Sequence, residues 1–138
     1  YYTNGHKGFC IEYDSEQLQK SLSNGHLHSV LNVQYKNDTP EFSMNSITNN
    51  LVDDTQFIKC LIATKSMAWE REEEIRITLY SSGLFGISPE SVTGIYFGLR
   101  MPESDKELVK NSLKGRSIKY YQMKLKPNSY LLEAELIK

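Results

Sequence analysis

The sequence predicts an α+β fold, with a mixed and mostly antiparallel sheet, about three helices and a β-hairpin at its C-terminal end. Three observations predict it. The chain has 138 residues, 39% of them hydrophobic and 24% charged, which is typical of a single globular domain with one core. Segments with the periodicity of strands alternate with segments of helical periodicity. The last two strand patterns are separated only by residues 126–129, which favours a hairpin over a doubly wound parallel sheet.

Six segments are predicted as strands, because apolar and polar residues alternate along them or because a short apolar run lies between turn residues. They are residues 8–13, 28–35, 73–80, 92–101, 118–125 and 130–137. The run 92–101 is apolar almost throughout, so we expect a strand that is buried on both faces. The segment 73–80 has one apolar face and one charged face.

Three helices are predicted from apolar residues at helical spacing after a capping or helix-opening residue. The helices begin after Asp14 or Ser15, after Asp54 or Thr55, and at Pro102. Their apolar residues are Leu18 and Leu22 in the first, Phe57, Ile58, Leu61 and Ile62 in the second, and Leu108, Val109 and Leu113 in the third. The polar residues 36–50 are predicted as a long loop or a weak helix.

The charge is nearly balanced, with 16 basic and 17 acidic residues and a net charge of -1. This balance excludes both an overall cationic surface for nucleic acid and the acidic excess of a disordered tail. No stretch approaches the ~20 apolar residues of a membrane-spanning helix. We expect a cytoplasmic protein without a membrane partner, in which Cys10 and Cys60 are two buried thiols. The alternative is a single disulfide bond between them.

The strongest local feature begins at Trp69 and contains Glu72, Glu74 and Arg76. If a strand has begun by Glu72, the three charged side chains project from one face at steps of ~7 Å. The two carboxylates would then be placed for general acid and base chemistry, Arg76 for holding an anionic group, and Trp69 for stacking on a ring. The alternative is a solvated strand face whose charges pair across the sheet.

A second candidate is the loop before the first strand, where glycines flank His6 and Lys7. His6 can act as a base near neutral pH and Lys7 can hold an anion, whereas the alternative is an ordinary loop histidine. His26 and His28 are spaced like residues on one side of a strand. No third ligand lies within sequence reach of them, so no metal site is predicted. The lysines and tyrosines of the last hairpin allow nucleic-acid binding without favouring it.

These two motifs, in this order and spacing, resemble a large uncharacterised bacterial family, domain of unknown function 2971. Its members combine a Y-x-x-x-H-x-G-F-C strand with a later W-x-x-E-x-E-x-R strand and a V-x-Y between them. The matching residues here are Tyr2, His6, Gly8, Phe9 and Cys10, then Val33 and Tyr35, then Trp69, Glu72, Glu74 and Arg76. The family normally has a further segment before the first motif. Since Tyr1 is not methionine, we expect residues 1–138 to be a single domain that lacks an N-terminal segment.

The family has no established activity, but the resemblance implies that the signature residues lie together at one cleft. We predict catalytic roles for His6, Glu72 and Glu74 and ligand-binding roles for Tyr2, Lys7, Trp69 and Arg76. The predicted ligand is a nucleotide or another phosphate-bearing molecule. The E-x-E strand resembles that of ADP-ribosyltransferases, where a glutamate positions a ribose, and phage defence would be one setting for such an enzyme. The alternative is a non-catalytic binding or regulatory module whose Glu/Arg strand is a structural ion network.

Overall fold

The computed structural model describes residues 5–41 and 54–137, without the side chains of residues 54–56 and 58. The strands are β1 (Phe9–Tyr13), β2 (Leu27–Asn32), β3 (Gln34–Lys36), β4 (Thr64–Ser66), β5 (Ile75–Leu79), β6 (Val92–Phe97), β7 (Lys119–Leu125) and β8 (Leu132–Ile137). The α-helices are α1 (Ser15–Leu22), α2 (Asp54–Ile62) and α3 (Glu103–Ser112), and short 3₁₀ helices cover Met67–Glu72 and Pro89–Ser91. In the part of the chain that is described, no helix is long and apolar enough to cross a lipid bilayer.

The chain divides into two compact units. The first unit is Tyr1–Asn24 together with Leu84–Lys138, and the second is Gly25–Gly83. The predicted α+β class, the mixed and mostly antiparallel sheet and the C-terminal hairpin are confirmed. The extent of the domain, with a missing N-terminal segment, stays a prediction. Most of the predicted loop 36–50 lies outside the described residues.

Four strands of the first unit form one mixed sheet in the order β1, β6, β7, β8. The strand β6 pairs antiparallel with β1 and parallel with β7, and β7 and β8 form the antiparallel hairpin. A parallel pair needs a crossover connection, and α3 is the helix within it. The sheet therefore combines local hairpin pairing with one long-range parallel contact.

The core of the first unit lies between β6 and α3. Ile95 and Phe97 are 1% and 0% exposed, and Val109 and Leu113 pack against them. Full burial of one such side chain contributes about 1.5–3 kcal/mol. Leu108, which was expected in the same apolar stripe, is 68% exposed because neighbouring helical residues point about 100° apart.

The expectation that Cys10 is buried is wrong. Cys10 is an exposed free thiol, whereas Cys60 is half-buried and also free. The register of β1 places Cys10 beside Tyr96, on the face of the sheet opposite to Phe97 of the core.

The segment 28–35 of the second unit is two strands rather than the predicted single strand. The strand β2 pairs antiparallel with β5, whereas β3 pairs parallel with β4. The change of partner falls at Val33, whose N–H donates to the Glu74 carbonyl, and at Gln34, whose N–H donates to the Ala63 carbonyl. These hydrogen bonds join residues about 30 to 40 positions apart, and no local periodicity reports them.

The loop before β1 is fixed against the end of β6 by two backbone hydrogen bonds. The Gly98 N–H donates to the Gly8 carbonyl at 2.8 Å, and the Arg100 N–H donates to the His6 carbonyl at 2.9 Å. A Cβ atom at position 98 would lie 2.3 Å from the His6 carbonyl oxygen and 2.7 Å from that of Gly8. Only glycine allows this approach of two backbone segments.

We predict that Gly98→Ala lowers the free energy of unfolding by about 1–3 kcal/mol, because the backbone segments must separate to admit the methyl group. Urea denaturation followed by circular dichroism measures the change. The matched control is Gly86→Ala, since a Cβ atom there meets nothing within 4 Å and should change stability by less than about 0.5 kcal/mol. Equal losses in the two variants would contradict the close-approach argument.

Candidate functional site

The acidic segment that the sequence singled out folds around a lysine that the sequence analysis missed. The Lys65 ammonium, at the centre of β4, donates to both Glu72 Oε2 and Glu74 Oε1. All three side chains are about three-quarters buried. We call Lys65, Trp69, Glu72, Glu74 and Arg76 the Lys65 cluster. Two like-charged carboxylates are stable at one point when a shared cation lies between them.

The geometry of the two glutamates differs from the predicted strand face. Glu72 is the last residue of the 3₁₀ helix Met67–Glu72, and β5 begins only at Ile75. Between the carboxylates, Glu73 has a left-handed backbone with φ 46° and donates its N–H to the Glu70 carbonyl. A non-glycine residue in this conformation costs roughly 1–2 kcal/mol. The predicted ladder of ~7 Å steps is therefore wrong, and a turn brings the carboxylates to Lys65 instead.

Glu74 is held from several directions. The Arg76 Nε donates to Glu74 Oε2 at 2.8 Å, and the Glu74 N–H donates to the Tyr35 hydroxyl at 2.8 Å. The Arg76 guanidinium also donates to the Ile62 carbonyl at the end of α2. Glu74, through its carboxylate and its backbone N–H, and Arg76, through its guanidinium, thus join β3, β4, β5 and the C-terminal end of α2.

Trp69 lies beside this ion network and remains partly open to solvent. The Lys65 Nζ is 5.0 Å from the centroid of the indole ring, within the range of a cation–π contact. The ring is nevertheless 43% exposed. Lys65 thus links Trp69 to the two glutamates, and the predicted stacking of Trp69 on a ligand ring stays a prediction.

The charges of Glu74 and Lys65 are fixed around neutral pH. Hydrogen bonds from Lys65 and then Arg76 lower the pKa of Glu74 to about 2, and those from Lys65 to Glu72 and Glu74 raise the pKa of the Lys65 ammonium. A proton-transfer group works best with a pKa near the working pH. Glu74 is therefore suited to hold an ionic or hydroxyl partner and poorly suited to serve as a general acid.

The other predicted site residues belong to the first unit or lie outside the described residues. His6 and Lys7 are exposed in the loop before β1, where His6 has a left-handed backbone with φ 67°. His6 and Cys10 line a shallow pocket of about 320 Å³ together with Tyr96. Tyr2 lies outside the described residues. The predicted proximity of His6 to the acidic segment stays a prediction.

The first unit also contains a carboxylate that is held by hydrogen bonds, here from hydroxyl groups. Glu12 in β1 accepts from Thr93 Oγ1 at 2.6 Å and from the Tyr96 hydroxyl at 2.5 Å. These bonds lower the pKa of Glu12 and raise that of Tyr96 to about 12. The Tyr96 ring also stacks on Tyr121, with centroids 4.4 Å apart. The alternation of β1 places Glu12 on the same face as Cys10, but the sequence does not show which hydroxyls face it.

Within the described ranges, no three histidine, cysteine, aspartate or glutamate side chains are arranged to hold a metal ion. His28, one of the two histidines weighed as ligands, lies 3.1 Å from Ser29 Oγ and 3.2 Å from Thr78 Oγ1. Its surroundings are thus the hydroxyl groups of β2 and β5.

The fold and the cluster define an α+β protein in which a 3₁₀ helix and short strands bring two glutamates into contact with one lysine. This chain belongs to the family described as Protein of unknown function (DUF2971), whose model matches residues 1–77. The matched region contains β1 and the whole Lys65 cluster. No curated protein and no solved structure matches the chain.

We predict that Glu74→Gln lowers the melting temperature by a few degrees at pH 7, because two cations lose their anionic partner. The folded-state pKa of Glu74, about 2, is below its ordinary value of 4.5. Its stabilisation is therefore complete above pH ~4.5 and is lost as the pH falls towards 2. Circular dichroism melts from pH 7 to pH 2.5 should show the difference between wild type and variant shrinking over that window.

The matched control is Glu70→Gln, an exposed residue of the same 3₁₀ helix. It should melt like the wild type at every pH. A constant Glu74→Gln difference from pH 7 to pH 2.5 would show that its ionisation does not stabilise the fold.

Proposed function

We propose that this protein is a ligand-binding module in which the Lys65 cluster is a structural ion network rather than proton-transfer machinery. The observation that carries the proposal is the shared lysine: Lys65 holds Glu72 and Glu74 together, and Glu74 also binds Arg76. A residue that must exchange protons or contact a substrate does so less readily when its charge is matched by neighbours. Structural ion-pair networks shift pKa values as functional sites do, so the shifted Glu74 is compatible with a scaffolding role.

The connections of the cluster support a scaffolding role. Arg76 binds the carbonyl of Ile62 where α2 ends, and Tyr35 receives the N–H of Glu74. The cluster thereby sets the positions of α2 and β3 around the remainder of the second unit. The module would work in the cytoplasm, where the free thiols Cys10 and Cys60 stay reduced.

The second candidate is an enzyme that acts on a nucleotide or the end of a nucleic acid. Its E-x-E segment would act like that of the ADP-ribosyltransferases it resembles, and phage defence would be its biological setting. One observation favours it. Glu72 and Glu74 meet beside a tryptophan that is 43% exposed, and an ionised glutamate can accept a hydrogen bond from a sugar hydroxyl without any proton transfer. In this version Trp69 would stack on the ring of the ligand.

Glu72→Gln separates the two candidates. In a binding module the variant should melt a few degrees below the wild type, because Lys65 loses one of its two carboxylates. The wild type should gain melting temperature from at least one compound in a panel of NAD⁺ and nucleoside mono-, di- and triphosphates, and that compound should be recovered unconsumed. Differential scanning fluorimetry and chromatography of the incubated panel make the two measurements.

Glu70→Gln is again the control for a neutralised carboxylate on the same helix. The opposite outcome would establish the enzyme: wild-type turnover of a panel member that Glu72→Gln abolishes while its melting temperature stays unchanged. An unchanged melting temperature of Glu72→Gln, with no turnover in either protein, would contradict both the structural ion network and the enzyme.

A further inference from the structure

The second unit contains a cavity of about 500 Å³ that the signature residues do not line. Its walls come from β2, β3 and the last turns of α2. The polar lining is the exposed residues Asn32, Gln34, Lys36 and Lys59, and an apolar part contains the buried Leu31. The volume is that of a site for a small organic molecule.

The cavity and the Lys65 cluster use opposite faces of the same strand. Side chains alternate along β3, so Tyr35 points to one face and its neighbours Gln34 and Lys36 to the other. Tyr35 binds the backbone of Glu74 in the cluster, whereas Gln34 and Lys36 line the cavity. The strand therefore presents Tyr35 to the cluster and Gln34 and Lys36 to the cavity.

The helix wall of the cavity is fixed by the cluster. Lys59 and Cys60 of α2 line the cavity, and the Arg76 guanidinium binds the Ile62 carbonyl two residues later. Ala63, which also lines the cavity, is 5% exposed and accepts the N–H of Gln34 at 2.7 Å. These contacts fix the end of α2, and therefore the helix wall of the cavity that carries Lys59.

The charge of the cavity is unbalanced. The described lining contains two lysines and no carboxylate. Over residues 5–41 and 54–137, the ion pairs involve other cations, and neither Lys36 nor Lys59 takes part in one. An anion in the cavity would have two ammonium groups as counter-charges and no carboxylate of the described lining to repel it.

We propose that this cavity binds a small organic phosphate of the size of a nucleoside monophosphate. Lys36 and Lys59 contact the phosphate, the amides of Asn32 and Gln34 contact the polar edge of the organic part, and Leu31 with Ala63 packs against its apolar surface. The inference rests on the proposed function as a binding module, because it assigns that module its ligand class.

Cys60 is a reporter built into the wall of this cavity. In a Cys10→Ser background of the full chain, Cys60 is the single cysteine, since the sequence contains two. The rate of its alkylation by uncharged N-ethylmaleimide is measured with adenosine monophosphate, adenosine or inorganic phosphate at constant ionic strength. We expect adenosine monophosphate to slow alkylation about fivefold or more at saturation, and the other two compounds to protect only at about tenfold higher concentration.

Lys36→Ala and Lys59→Ala should each raise the concentration of adenosine monophosphate needed for half-protection about tenfold. The control is Lys126→Ala, which removes an exposed lysine from the turn between β7 and β8. Lys59 also lies in the last turn of α2, where a cation stabilises the helix end. Melting temperatures of all variants therefore accompany the alkylation rates, and titration calorimetry of the wild type gives an independent affinity.

Three outcomes would overturn the proposal. They are no protection by adenosine monophosphate in the folded protein, equal protection by adenosine, or protection that survives both lysine substitutions. None of these outcomes affects the test of the ion network, because Glu72→Gln and Glu74→Gln report on the other face of β3. Conversely, turnover that depends on Glu72 would remove the proposed function while leaving the alkylation result readable.

Discussion

The short elements of the second unit meet at one ammonium group, that of Lys65. Lys65 is the shared counter-charge for Glu72 and Glu74, and without it the two carboxylates would repel each other across a tight turn. The turn itself is unfavourable, since Glu73 adopts a left-handed backbone. The ion pairs thus stabilise a local conformation that the backbone alone disfavours, and the strained turn is the reason that the cluster forms at a point rather than along a strand face.

This constraint changes how the acidic signature is interpreted. The spacing of glutamate and arginine also fits a solvated strand face, and their place in a family signature, with tryptophan, is what indicates a functional cleft. The contacts in the structure fit the alternative of an ion network, since each of these groups makes a contact that joins one short element to another. The 3₁₀ helix contributes Glu72, β4 contributes Lys65 and β5 contributes Arg76. Elements of three to six residues have few internal hydrogen bonds, so side-chain ion pairs carry more of their positioning.

The sequence predicted the elements whose hydrogen bonds and burial are local in the chain. The hairpin of β7 and β8, the buried strand β6 and the helix after Pro102 all have a clear period and clear ends. It failed where a distant partner decides the structure, as at Val33, where the chain changes from one strand partner to another. The acidic residues that follow Trp69 were predicted to lie together on a strand face, whereas Trp69 and Glu72 lie in a 3₁₀ helix and β5 begins only at Ile75. Lys65 was missed because its importance comes from the left-handed turn at Glu73, which a run of glutamates does not indicate.

The two faces of β3 explain how one short strand can serve both structure and binding. Side chains alternate along the strand, and Tyr35 supports the cluster whereas Gln34 and Lys36 line the cavity. The carboxylates of Glu72 and Glu74 are held in the cluster by Lys65 and Arg76. Segregating the carboxylates in this way leaves the cavity cationic in a chain whose total charge is only -1. A nearly neutral sequence can therefore present a local anion site, provided that its acidic groups are tied to partners elsewhere.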